Sequence, residues 1–135
     1  MKTLPIGTKR IFRKIVTPDD LAHFDAGAVH DVYATFALAR DAEWSGRLLV
    51  LEIKEEGEEG IGTGLTIEHQ GPAFVGETVL FESTLIAING PEVVSEFTAS
   101  VAGRAVACGV QKQKILPKEK IQRAFEKARN SHPKP

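Results

Sequence analysis

Residues 35–54 read TFALARDAEWSGRLLVLEIK, and the period of this stretch decides the fold. Phe36, Ala39, Glu43, Gly46, Leu49 and Val50 recur at helical spacing, and so do Leu38, Ala42, Ser45 and Leu49. Apolar or small residues cover most of the circumference, which predicts a helix buried on nearly every side. Arg40, Asp41 and Arg47 mark its polar side. Thr35 reads as the N-cap, because its hydroxyl can accept from a free backbone N–H of the first turn. The acidic run Glu55, Glu56, Glu58 and Glu59 would oppose the dipole at a helix C-terminus. The helix is therefore expected to end near Glu52, with the acids and Gly57 in a solvated loop.

Upstream, Ile11, Phe12, Ile15 and Val16 suggest a first strand, and Thr17, Pro18 and Asp19 a turn or helix start. Residues 21–34 look irregular, with Asp25, Gly27 and Asp31 as loop residues. Downstream the period changes to two: Leu65, Ile67 and His69 point one way, Thr66, Glu68 and Gln70 the other. Gly71, Pro72 and Gly76 bracket a loop. Strands are expected over 77–88 and 93–101, joined by an Asn89-Gly90 turn, and over 105–116 after a turn at Gly103. A C-terminal helix over 117–129 presents Ile121, Phe125 and Ala128 on one face, and a tail occupies 130–135.

The order is strand, loop, one long apolar helix, then four strands, within one domain spanning 1–135. One helix against a mostly antiparallel sheet is an α+β arrangement. A sheet wrapped around one helix leaves an edge to cover, and a homodimer that continues the sheet covers it. Pairing of dimers into tetramers is left open.

Composition narrows the function. With 135 residues, 42% hydrophobic and 26% charged, the chain is an ordinary globular one. A net charge of −1 argues against nucleic acid or an anionic membrane as partner. The single cysteine, Cys108, cannot form an internal disulfide, which favours a reducing, cytoplasmic setting. Residues 1–10 hold no signal-peptide core, and the apolar run 48–51 is too short to span a bilayer.

His69 lies in register with Leu65 and Ile67, before a Gly-Pro loop. It is either a core histidine bonded to a carbonyl or a general acid–base facing a pocket. Glu43, among small residues, is either a solvent-facing glutamate or a carboxylate poised in a cleft. The GIGTG segment of Gly60, Gly62 and Gly64 is not a dinucleotide loop, because a strand and not a helix follows it. His23, Asp25, His30 and Asp31 share no metal-ligand spacing, so no metal is expected. Cys108 reads as a packing residue.

The segments VYATFALARDAEWSGR, EEGEEGIGTGLTIEHQGPAFVGETV and CGVQKQKIL together resemble the fluoroacetyl-CoA thioesterase family of hot-dog proteins. The specific feature is a Thr, a Glu eight residues later on the helix, and a strand ending in His before a Pro-containing loop. The resemblance implies a hot-dog fold and hydrolysis of a short or small substituted acyl-CoA, with no cofactor beyond the CoA of the substrate. It implies Thr35, Glu43 and His69 as catalytic residues, with Gly62 lining the acyl pocket and Phe36 also substrate-binding. Bulky Phe36, Phe74 and Trp44 favour a short acyl group. Phe36 stands where relatives often have Pro, and Gln113 where many have Arg; Lys112 or Lys114 is the replacement cation on offer, without bidentate geometry. The competing readings are a non-catalytic acyl-CoA or metabolite-binding dimer, and a hydratase with its acid and base in the His30-Asp31 segment.

Overall fold

The structure is a computed structural model that describes residues 1–24 and 27–131. Asp25 and the last four positions of the expected tail lie outside the described residues.

Five strands form one antiparallel sheet in the order β1-β5-β6-β7-β4: β1 (Lys9–Ile15), β4 (Glu58–His69), β5 (Thr78–Asn89), β6 (Glu92–Val101) and β7 (Arg104–Pro117). The long helix α1 (Thr35–Ile53) packs across it and touches all five strands. A short hairpin, β2 (Leu21–Phe24) with β3 (Gly27–Tyr33), precedes the helix, and α2 (Lys118–Asn130) follows the sheet. This is a hot-dog arrangement, one helix wrapped by an antiparallel sheet.

Four expectations need correction. Residues 21–34 are not irregular throughout: β2 and β3 pair there, with register shifts that break the alternation a reader looks for. The acids Glu58 and Glu59 do not sit in a loop but begin β4. They are tolerated because Glu59 pairs with Arg47 at 2.7 Å and Glu58 with the N-terminal amine at 3.0 Å. Thr35 is not the N-cap of α1. That position is Ala34, with extended backbone and no side-chain cap, and Thr35 is the first helical residue. The β5–β6 turn falls at Gly90 and Pro91, between paired Asn89 and Glu92, one residue later than expected.

Along α1 the buried residues Ala37, Leu38, Asp41, Ala42, Ser45, Gly46, Leu49, Val50 and Ile53 form a single stripe. The core has two apolar clusters, one around Tyr33, Leu38, Phe81 and Phe97, the other around Leu49, Ile53, Leu85 and Ile115. Between them each element contributes a small or polar buried residue: Ser45 on α1, Ser83 on β5, Ser95 on β6, Gln111 and Gln113 on β7. The Gln111 amide donates to the Glu43 carbonyl at 2.8 Å and accepts from the Ser95 hydroxyl at 3.3 Å. A Cβ at position 46 would fall 1.7 Å from the Gln111 Oε1, so only glycine lets α1 settle this close to the sheet. The polar layer thereby fixes the height of the helix turn that carries Glu43.

A second network ties the hairpin to the helix. Asp20 is buried, yet it accepts from Arg40 at 2.7 Å, from Lys14 at 3.2 Å and from the Thr17 backbone at 2.9 Å. Arg40 also reaches Asp41, and Asp41 accepts from the buried Tyr33 hydroxyl. Burial raises the Asp20 carboxyl, but Arg40, Thr17 and Lys14 outweigh it and hold the group well below the usual carboxylate range. Burial and the neighbouring Asp41 push the Tyr33 phenol far up, so it stays neutral. Because the folded Asp20 value lies below the unfolded one, its stabilisation is complete above about pH 4. It is lost as pH falls through that value towards the depressed folded one. Asp20→Asn should cost about 1–3 kcal/mol, the scale for hydrogen bonds to a charged group, because Asp20 is buried while its partner Arg40 is exposed, and should flatten the acid limb. Thermal melting of both proteins from neutral to acid pH checks this; equal acid sensitivity would refute it.

Candidate active site

The start of α1 and the end of β4 meet because their flanks are fastened together. The Tyr33 N–H donates to the Ala73 carbonyl at 2.8 Å, and the Ala34 N–H to the Asp20 carbonyl at 2.8 Å. Past β4, the Gln70 N–H donates to the Val106 carbonyl at 2.7 Å. These bonds hold Thr35 against His69, whose Nδ1 lies 2.9 Å from the Thr35 hydroxyl oxygen. When the ring proton is on Nε2, Nδ1 accepts from that hydroxyl.

The pair borders a cavity of about 570 Å³ lined by Ala22, His30, Val32, Tyr33, Ala34, Thr35, Phe36 and His69. Among the described residues its polar side-chain groups are the hydroxyls of Thr35 and Tyr33 and two imidazoles, and none is a carboxylate. Phe36 is on the wall as expected, half exposed; Phe74 and Trp44 are not among the lining residues.

Glu43 sits on an exposed face of α1, eight residues after Thr35, or about 12 Å along the axis. A Cβ on Gly62 would lie 2.3 Å from the Glu43 Oε1, so this carboxylate rests on the bare Cα of the glycine. Four of the expected residues therefore meet as two pairs, Thr35 with His69 and Glu43 with Gly62, both along the crossing of α1 over β4. Gly62 touches the glutamate and is not among the residues lining the cavity.

The sequence reading missed His30 as a wall residue. His30 and Val32 are two apart on β3 and so share a face, whereas Asp31 turns away. The adjacent His30 and Asp31 thus do not form a pair in the cavity. Of the residues weighed as metal ligands, His23 points its ring nitrogen at the Pro18 carbonyl, 3.1 Å away. Gln113 is buried, while Lys112 and Lys114 on either side of it are exposed on the opposite face of β7. Neither lysine can stand in for an arginine at that position. Cys108 is half-buried, with Glu68 3.9 Å away.

The helix-wrapping sheet and its hydroxyl–imidazole pair at the helix start define a hot-dog protein of the thioesterase type. The family described as fluoroacetyl-CoA-specific thioesterase (FlK) matches residues 16–119, and the chain belongs to that family. It is a thioester hydrolase of the acyl-CoA thioesterase class. A solved Thermus thermophilus hypothetical protein, described as a thioesterase superfamily member, is 32% identical, with a TM-score of 0.92 over 96% of each chain. A hot-dog-like protein from Thermanaerovibrio acidaminovorans is 20% identical, with a TM-score of 0.85 over 96% of this chain and 95% of that one. The fluoroacetyl-CoA thioesterase FlK is 19% identical, with a TM-score of 0.86 over 98% of this chain and all of the other. No curated protein matches the chain by sequence.

Proposed function

We propose that this chain hydrolyses the thioester of a short acyl-CoA as a homodimer, with Glu43, His69 and Thr35 carrying the chemistry. The observation that supports this most is the Thr35–His69 pair on the wall of a small apolar cavity. A solved threonine-to-serine mutant of FlK is described in complex with acetyl-CoA, which supports a CoA thioester as the ligand here.

Hydrolysis adds water across the C–S bond and yields a carboxylate and the CoA thiol. The positive N-terminal end of α1 faces the developing oxyanion; the Thr35 hydroxyl donates to it when His69 is protonated at both nitrogens and its Nδ1–H donates to the Thr35 oxygen. His69, oriented by Thr35, passes a proton to the departing thiolate. Glu43 does not line the cavity of its own protomer, so it acts across the dimer, where it either takes a proton from the attacking water or attacks the carbonyl itself, followed by hydrolysis of the mixed anhydride. The apolar lining, with Tyr33 and Phe36, suits a small acyl group, and no cofactor is needed for these steps.

The dimer reading rests on β4. It is an edge strand of 12 residues that pairs only with β7. Leu65 on it, and Trp44 and Leu51 on the helix above, are exposed. Such an edge invites a second copy. The lone Cys108 fits a reducing cytoplasm.

A screen of acyl-CoAs, read by thiol-reactive dye, checks the substrate. Turnover should be highest for acyl chains of about two to four carbons, as membership of a family described as fluoroacetyl-CoA-specific suggests; faster turnover of long-chain acyl-CoAs would overturn this. Light scattering at micromolar protein should return twice the 14.7 kDa chain mass. The monomer mass would remove the dimer.

A further inference from the structure

The polar groups of the cavity fall on two walls. Thr35 and His69 are bonded to each other where α1 starts and β4 ends. A second wall is the hairpin, where Ala22 of β2 stands in register with His30 of β3. Among the described lining residues the other polar side-chain group is the Tyr33 hydroxyl, which donates to Asp41. His30 is thus the polar side chain of that lining that neither the hydroxyl–imidazole pair nor the bond to Asp41 uses. It is exposed, and among the described residues no carboxylate lines the cavity beside it.

An imidazole keeps at least one N–H donor in either protonation state. In a mostly apolar pocket a single such group fixes which substituents are accepted. Apolar walls discriminate weakly between acyl groups of similar size, whereas a placed donor discriminates strongly against a ligand that leaves it unpaired.

We infer that His30 recognises an acceptor on the acyl group beyond the thioester, and that the preferred acyl class is a short chain ending in a carboxylate. This rests on the acyl-CoA reading for where the thioester sits, beside Thr35 and His69. The carboxylate is the strongest partner for an imidazole N–H, since a charge-assisted hydrogen bond is about twice as strong as a neutral one. An alkyl chain of equal length would bury the same area and leave His30 facing a methyl group.

Two non-hydrolysable CoA thioethers of equal length, S-(3-carboxypropyl)-CoA and S-butyl-CoA, test this by titration calorimetry. The wild-type protein should bind the carboxylate at least about 10-fold more tightly, a 1.4 kcal/mol difference. His30→Leu should bring that ratio below about threefold, and His30→Gln, which keeps a donor, should fall between. A wild-type ratio near one, or an unchanged ratio in His30→Leu, overturns the inference. The ratio is read without turnover, so it separates from the hydrolase reading. Succinyl-CoA and butyryl-CoA assayed alongside for thiol release decide that one. A retained ratio without release sinks the hydrolase and supports His30; release without a ratio does the reverse.

Discussion

Glu43→Gln should lower kcat by about 10²-fold or more, the scale of a lost general base, while the protein keeps its melting temperature. The structure makes this a clean substitution. The Glu43 side chain is exposed and, among the described residues, accepts no hydrogen bond from another side chain. Its firm attachments are through the backbone, where the carbonyl receives the Gln111 amide, and through the contact of Oε1 with Gly62. Gln has the same shape and rests on the same glycine, so the loss is that of the anion alone. A kcat within about twofold of wild type, less than 0.5 kcal/mol of barrier, would make Glu43 a bystander.

The second large effect is expected at the hydroxyl–imidazole pair. His69→Ala should cost about 10²-fold or more in kcat, as a proton-transfer group. Thr35→Ala should cost about 10²-fold, the low end for a lost oxyanion donor. Thr35→Ser keeps the hydroxyl 2.9 Å from Nδ1 and should retain most activity. Helix capping does not confound these variants, because the cap is Ala34. Alanine at a first-turn position even favours the helix by a few tenths of a kcal/mol. If Thr35→Ala and Thr35→Ser lose activity equally, with melting unchanged, the hydroxyl is not what matters there.

The helix was legible because a period near 3.6 survives in any context, and the strands from β5 onward because turn residues bracket them. The cap was not legible: which residue caps a helix depends on where the backbone leaves the extended region, and Ala34 carries no polar group to advertise it. The start of β4 was hidden by charge, since Glu58 and Glu59 look like loop residues until Arg47 and the N-terminal amine are seen beside them. The β2–β3 hairpin was hidden by its register shifts, and His30 went with it. Thr35 and His69 could be named from sequence, but that their side chains meet could not. They are 34 positions apart, and it takes the antiparallel crossing of α1 over β4 to join them. Trp44 and Phe74 show the opposite error, since bulk near a motif in sequence did not place either on the cavity wall.

The central claim is that the cavity beside Thr35 and His69 is a hydrolytic site and not merely a CoA-ester binding site. It is tested most directly by mixing the wild-type protein with an excess of short acyl-CoAs and following free CoA thiol continuously. Many turnovers per chain are expected, with one carboxylate formed for each thiol released. Tight binding of the same acyl-CoAs with no thiol released would contradict it and leave a binding protein on a thioesterase fold.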